Sequence, residues 1–263
     1  MSDGKYAFEK SKIIQGDCLE KMKLIPDSSV DMILADLPYG TTQNKWDKNI
    51  IPFEPLWKQY KRILKSDGCV VLTSDGIFTG ALMMSNTKWF KYKMIWNKKS
   101  TTGFLNAKRM PLRQHEDILV FANGKTKYNP IMVVRGKPRK KGGYAGGNKG
   151  TYGKHKEDVK YNNEYYPTSI IDVSNANQKA KLHPTEKPVA LFEYLIKTYT
   201  NEGDIVLDNV AGSGTTGEAC INLNRDFILI EKDPNYYEVI KERVGKIFKN
   251  YGLDLQPLLN EQM

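Results

Sequence analysis

Residues 204–231 constrain the fold more than any other part of the chain. A short β-branched run, DIVLD, leads into NVAGSGTTGEAC, and a second apolar run, FILIEKD, follows. Gly212, Gly214 and Gly217 therefore stand in G-x-G-x-x-G spacing between a strand and a helix. Glycine belongs where a backbone turns tightly and approaches a ligand without a Cβ, and the helix beyond it offers unpaired N–H groups. No Lys-Ser or Lys-Thr follows to complete a phosphate-cradling P-loop. Glu231 lies nineteen residues after Gly212, at the end of the next strand, where a carboxylate accepts hydrogen bonds from ribose hydroxyls. Together these features point to an α/β sheet and an adenosine-containing cofactor. They do not separate nicotinamide adenine dinucleotide from S-adenosylmethionine.

The rest of the chain agrees with such a sheet. β-branched runs alternate with amphipathic segments. They predict strands at Lys12–Gln15, Val30–Ala35, Cys69–Thr73, Lys93–Trp96, Asp117–Phe121, Asp204–Leu207 and Phe227–Ile230. Helices are predicted at Asp17–Leu24, Phe53–Lys65, Gly76–Ser85, Pro188–Thr200, Thr215–Leu223 and Pro234–Phe248. The 263 residues suffice for one large α/β core with an insertion, and no repeat or linker divides them. No apolar run approaches the ~18 residues of a membrane span, and the start, MSDGKYAFEKSK, lacks an apolar signal core. Cys18, Cys69 and Cys220 form no C-x-x-C pair, and neither His115 nor His183 has a partner at metal spacing. The expectation is a reduced, cytoplasmic protein with no membrane partner and no metal.

Charge is unevenly placed. The chain carries +10 overall, and Asn123 to Leu182 alone hold thirteen basic residues against four acidic ones, a net +9. Tyr128, Tyr144, Tyr152, Tyr161, Tyr165 and Tyr166 are interleaved with them. Bases and aromatics in that mixture suit phosphate contact and base stacking, so nucleic acid is the expected partner. Within this stretch, Gly136–Gly153 holds seven of the twenty-one glycines and no helical or strand period, which predicts a mobile basic loop.

Val30–Ala35 runs straight into Asp36-Leu37-Pro38-Tyr39-Gly40, and the carboxyl ends of parallel strands are where α/β sheets place chemistry. The first four residues of that pentapeptide, Asp36–Tyr39, form a tetrapeptide that resembles the catalytic motif of the DNA amino-methyltransferases, D-P-P-Y in adenine-N6 enzymes and commonly S-P-P-Y in cytosine-N4 enzymes. The catalytic motif precedes the glycine motif, with the basic insertion between, an order that resembles the β class of that family. Further segments spread the resemblance over most of the chain: IIQGDCLEKMKLIPDSSVDMILADLPYG, MIWNK with Trp96, RQHEDILVFANGK with His115 and Glu116, HPTEKP at His183–Pro188, and NVAGSGTTG. Three positions depart from the pattern. Leu37 replaces the first proline, and Asn209 and Val210 replace a proline and a phenylalanine, removing an aromatic neighbour of the cofactor.

The resemblance implies a Rossmann-like S-adenosylmethionine-dependent methyltransferase, with a mixed, mostly parallel sheet, helices on both faces and an inserted basic recognition region. It divides the chain into a catalytic half (1–122), a DNA-recognition insertion (123–182) and a cofactor-binding half (183–263). The implied reaction moves a methyl group to adenine N6 of a base flipped out of double-stranded DNA, as in bacterial or phage-encoded restriction-modification enzymes, which are often homodimers. The catalytic residues would be Asp36, Leu37 through its main-chain carbonyl, Pro38 and Tyr39, with Tyr39 stacking on the extruded base. Cofactor contacts would come from Asp17 (at the adenine), Cys18, Asp36, Lys187 (near the cofactor carboxylate), Asp208, Ala211, Gly212, Gly214, Thr215, Glu231 and Lys232. Arg109, Arg113, Arg135, Lys137, Arg139, Lys140 and Lys141 are the candidates for DNA contact. The segment GTTQNKWDKN, with Lys45 and Trp46, would form a loop over the cofactor or target. The rival readings are cytosine-N4 methylation, which Asp36 disfavours, a nicotinamide-dependent oxidoreductase, which leaves Asp36–Tyr39 unexplained, and an inactive DNA-binding protein of the same fold.

Overall fold

The computed structural model describes residues 8–40, 50–141, 160–175 and 186–259. The chain divides into two compact units, Met1–Asn129 with Ser169–Met263, and Pro130–Thr168. Ten strands are described, in chain order β1 (Lys12–Gln15), β2 (Val30–Ala35), β3 (Leu64–Ser74), β4 (Phe90–Thr102), β5 (Arg113–Phe121), β6 (Val133–Lys141), β7 (Lys160–Tyr165), β8 (Ile170–Asp172), β9 (Ile205–Asp208) and β10 (Asp226–Glu231). The helices are α1 (Cys18–Lys21), α2 (Phe53–Ile63), α3 (Gly76–Ser85), α4 (Val189–Tyr199), α5 (Thr215–Asn222) and α6 (Pro234–Tyr251).

The larger unit holds one eight-stranded sheet in the order β1-β10-β9-β2-β3-β5-β4-β8. All its pairings are parallel except those of β5, which runs against both β3 and β4. Side chains alternate across the sheet with a period of two. Met32, Leu34, Val71, Val206 and Leu229 pack with α4, α5 and α6 on one face. Ile33, Ala35, Val70, Leu207 and Ile230 pack with α1, α2 and α3 on the other. Every residue of β2 is consequently buried, as a strand covered on both faces must be. Asp31 lies inside β2 yet is satisfied: it accepts from Ile205 N (2.9 Å), Lys65 Nζ (2.7 Å) and Lys127 Nζ (2.7 Å).

Several boundaries differ from the sequence reading for local reasons. The helix expected to run to Lys65 ends at Ile63, because Leu64 turns extended and pairs with Val30. Asp204 stays out of β9, its carboxylate taking the Asn201 N–H (2.8 Å) and Lys127 Nζ (2.8 Å). β4 and β5 extend well past their apolar centres as a polar hairpin. Part of the expected mobile loop is regular: Gly136 to Lys141 belong to β6, which pairs antiparallel with β7 in the smaller unit. Residues 142–153 lie outside the described residues.

Candidate active site and cofactor cavity

β2 ends at Ala35, so Asp36 emerges at the carboxyl edge of the parallel strands, beside the ends of β3 and β9. Both of its oxygens are engaged. Oδ1 accepts from the Tyr39 hydroxyl (2.6 Å) and from the Thr73 hydroxyl at the end of β3. Oδ2 accepts from Lys187 Nζ at 2.5 Å. Lys187 arrives from the segment before α4 and is itself buried, with Glu116 Oε2 3.3 Å from the same Nζ. Glu116 is held in turn by Lys98 Nζ at 3.2 Å. The antiparallel course of β5 makes this possible, because it brings the beginning of that strand to the edge where β2, β3 and β4 finish.

The electrostatics follow from this packing. Burial alone would pull the Lys187 ammonium down, but the carboxylates of Asp36 and Glu116 outweigh it, and the pKa lies above its ordinary value. Burial, followed by the charges of Asp36 and Glu116, pushes the Tyr39 phenol well up. Tyr39 is therefore a fixed donor. Its ring stacks on Phe78 with centroids 5.0 Å apart, and Lys187 Nζ sits 5.7 Å from its centroid. The tyrosine expected to face an extruded base thus has its hydroxyl on Asp36 and its ring on Phe78.

Asp36 also borders a cavity of about 610 Å³ across the ends of β1, β10, β9 and β2, a size that suits a small-molecule cofactor. Of the residues expected at the cofactor, Asp17, Cys18, Asp36, Lys187, Asp208, Ala211, Gly212, Thr215, Glu231 and Lys232 line it, as does Pro38. Gly214 does not. It caps α5 with φ +81°, and a Cβ there would meet Ile240 at 3.2 Å, so its role is to turn the chain into the helix. Leu37 is buried in the core on the α1–α3 face. The sequence reading missed Thr73, and it assigned no role to Glu116 or Lys98 at Asp36. Phe192, Ser213 and Tyr236 also went unremarked as lining residues. Thr73 carried one usable signal, since it closes an apolar strand at the same edge as Asp36.

The acids of the cavity divide the work. Glu231 Oε2 accepts from Gly212 N (2.8 Å) and Oε1 from Asp233 N (2.8 Å), which ties the glycine turn to the start of α6. Each oxygen keeps lone-pair capacity for a ligand hydroxyl. Burial raises the Glu231 pKa. Asp17 caps α1 through Leu19 N (3.0 Å) and meets Lys232 Nζ at 3.0 Å. Burial would raise its pKa, but Lys232 and the Leu19 N–H together bring it below the ordinary value. Asp208 accepts from the Thr216 hydroxyl and from Val210 N (3.1 Å), and burial pushes it up to about 7. A pocket walled by Asp17, Asp36, Asp208 and Glu231 suits a ligand that is cationic and carries hydroxyls.

The candidates for DNA contact fall into two groups. Arg109 and Arg113 belong to the β4–β5 hairpin of the larger unit, where Arg113 pairs with Asp75 at 2.7 Å. Arg135, Lys137, Arg139, Lys140 and Lys141 lie on β6 of the smaller unit, with the Arg135 guanidinium 5.8 Å from the centroid of the Tyr165 ring. Lys45, Trp46 and His183 lie outside the described residues. Among the described residues, no cluster of His, Cys, Asp or Glu could hold a metal ion, and no helix is long and apolar enough to cross a membrane.

Comparison with known proteins meets this geometry. Type II methyltransferase M.HinfI of Haemophilus influenzae is 28% identical, over 90% of this chain and 69% of its own. The DNA adenine methyltransferase YhdJ of Escherichia coli (strain K12) is 28% identical, over 89% of this chain and 83% of its own. The crystal structure of the M1.HpyAVI–SAM complex superposes with a TM-score of 0.61 at 28% identity, covering 89% of this chain and 98% of that one. The family model for DNA methylase matches residues 30–242, from the first residue of β2 into α6. With the Asp36 edge, the glycine turn and every wall acid of the cavity except Asp17 inside that span, the chain belongs to the DNA methylase family.

Proposed function

We propose that this protein transfers a methyl group from S-adenosylmethionine to the N6 amino group of an adenine extruded from double-stranded DNA. The observation that carries the reading is Asp36, held from both sides where it borders the cavity. The bound cofactor supplies a sulfonium-activated methyl group. Glu231 offers acceptors for ribose hydroxyls, and Asp17 and Lys232 stand at the cavity wall as a paired acceptor and donor. Asp36 and the main-chain carbonyl of Leu37 accept the two amino hydrogens of the target, which turns the nitrogen lone pair outward. Hydrogen bonds to Asp36 strengthen as positive charge develops on that nitrogen, the differential binding that lowers a barrier. Lys187, Thr73 and Tyr39 fix the carboxylate so that no reorganisation is needed at the moment of transfer. Leaving the duplex costs the base its stacking, a few kcal/mol, which contacts elsewhere on the protein must offset.

Adenine is preferred to cytosine because an aspartate, rather than a serine, opens the tetrapeptide. The test is methyl incorporation from labelled donor into duplex DNA, followed by digestion to nucleosides. N6-methyladenine is expected, and N4-methylcytosine in its place overturns the base assignment. Asp36→Ala should lower turnover by about 100-fold or more while cofactor affinity changes little. Equal losses in both would remove Asp36 from the transition state.

A further inference from the structure

The turn between β4 and β5 has no role in the site just described. It is well built nonetheless: Gly103 adopts φ +91°, Phe104–Asn106 form a 3-10 turn, and Asn106 N, Ala107 N, Arg109 N and Met110 N all donate within the segment, to Gly103, Phe104 and Asn106 oxygens at 2.8–3.1 Å. This ordered tip presents apolar side chains to solvent, with Phe104 67%, Leu105 101% and Met110 56% exposed. Exposed beside them are Lys108 and Arg109, neither in an ion pair with a described residue. From Ser100 to Arg113 there is no acidic residue.

Its position is fixed by the sheet. β4 runs in the direction of β2 and β3, so the tip leaves the edge at which Asp36 lies. Glu116 of β5 stands 3.3 Å from the Lys187 ammonium that holds Asp36. Arg113, where the tip rejoins β5, is three residues nearer the turn, about 10 Å at the usual strand rise. The tip thus projects past the catalytic carboxylate by roughly the depth of a B-DNA groove, ~8.5 Å.

We propose that this tip is a wedge for duplex DNA. Phe104 and Leu105 enter the base stack beside the target nucleotide and occupy the gap it leaves, while Lys108 and Arg109 hold the flanking phosphates. Apolar wedges that unstack a step are an established way to deform a duplex, and burying two exposed apolar side chains offsets the stacking lost by the extruded base. The absence of any acid and the two unpaired cations select a polyanion over an apolar protein surface. The inference rests on the reading of the chain as a base-extruding DNA methyltransferase.

The test uses the full chain. Mapping methylated positions in unmodified genomic DNA supplies a target sequence, and a synthetic duplex with 2-aminopurine at the methylated position reports extrusion by fluorescence. The double variant Phe104→Ser/Leu105→Ser, substituted only at exposed positions, should melt as the parent does. It should lose at least five-fold of the fluorescence rise and at least ten-fold of the turnover, with cofactor affinity unchanged. Lys108→Ala/Arg109→Ala should weaken DNA binding and lower the slope of log affinity against log salt by about two. A Phe104→Ser/Leu105→Ser protein that extrudes and methylates as the parent does overturns the wedge, as does one that loses turnover with extrusion intact. So does a variant whose only change is loss of self-association in sedimentation. A parent that methylates no DNA at all fails at the earlier step and brings down the functional reading itself.

Discussion

Replacing Asp208 with asparagine should stabilise the protein in alkali and destabilise it in acid. The side chain is 3% exposed at the end of β9, and burial lifts its pKa to about 7, with the charges of Asp36 and Glu231 adding to the rise and the Thr216 hydroxyl and Val210 N–H opposing it. In the unfolded chain the same group ionises near ~3.9. Between these values the folded state binds the proton and the unfolded state does not, so stability falls as pH rises through the window and levels off above about 7. The interval corresponds to on the order of 4 kcal/mol. Asparagine carries no charge to desolvate. It keeps one carbonyl for Thr216 or Val210 but sets an amide NH2 against the other, at a cost of about 1–2 kcal/mol. Asp208→Asn is therefore expected to gain roughly 2–3 kcal/mol at pH 8, or about 4–12 °C in melting temperature for a domain of this size, and to lose about 1–2 kcal/mol at pH 3, below the unfolded-state pKa. Calorimetric melts of the protein without cofactor at the two pH values measure it directly. A variant weakened equally at both would show that Asp208 is not a desolvated acid, and the reasoning would fall. The same group predicts that parent protein binds the cationic cofactor more tightly at pH 8 than at pH 6, by at most about ten-fold. That component should vanish in Asp208→Asn when titration calorimetry compares the two.

Other sites give independent tests. Lys127→Met leaves the Asp31 carboxylate inside β2 with one lysine fewer; breaking such a pair should cost about 3–5 kcal/mol in urea unfolding. For Asp31, burial raises the pKa, but the Ile205 N–H, Lys127 and Lys65 together bring it below the usual value. Its stabilising contribution is present above about pH 4 and is lost as pH falls further, so the parent's acid limb of stability should be blunted in the variant. At Gly217, where α5 crosses β10, an added Cβ would come 2.8 Å from Leu229 Cδ1. Gly217→Ala should cost about 1–3 kcal/mol in a thermal melt, and a neutral result would mean that α5 shifts freely on the sheet.

The α/β architecture was legible because period-two burial and the strand–glycine–helix turn are both written locally. Gly212, Glu231 and Asp36 could be placed from neighbours alone: each ends a strand or opens a turn whose direction the pattern gives. What could not be read was long-range. Thr73 and Lys187 meet Asp36 from separate stretches of chain, with Glu116 behind Lys187 and Lys98 behind Glu116, and only the reversed course of β5 puts Glu116 at the right edge. β6 was hidden for a different reason. Its Val133–Arg139 side chains are largely exposed, so no buried face imposed an apolar alternation, and VVRGKPRKK keeps only its backbone ladder to announce a strand.

The strand order has a consequence for synthesis. β1 and β2, the first two of the described strands, are not neighbours: β10 and β9 lie between them. A nascent chain must therefore hold that slot open for some 200 residues of translation, with the edge of β2 unpaired and nothing for β1 to join. A sheet completed only once β10 is made leaves the half-made chain the species most exposed to aggregation and to chaperone capture.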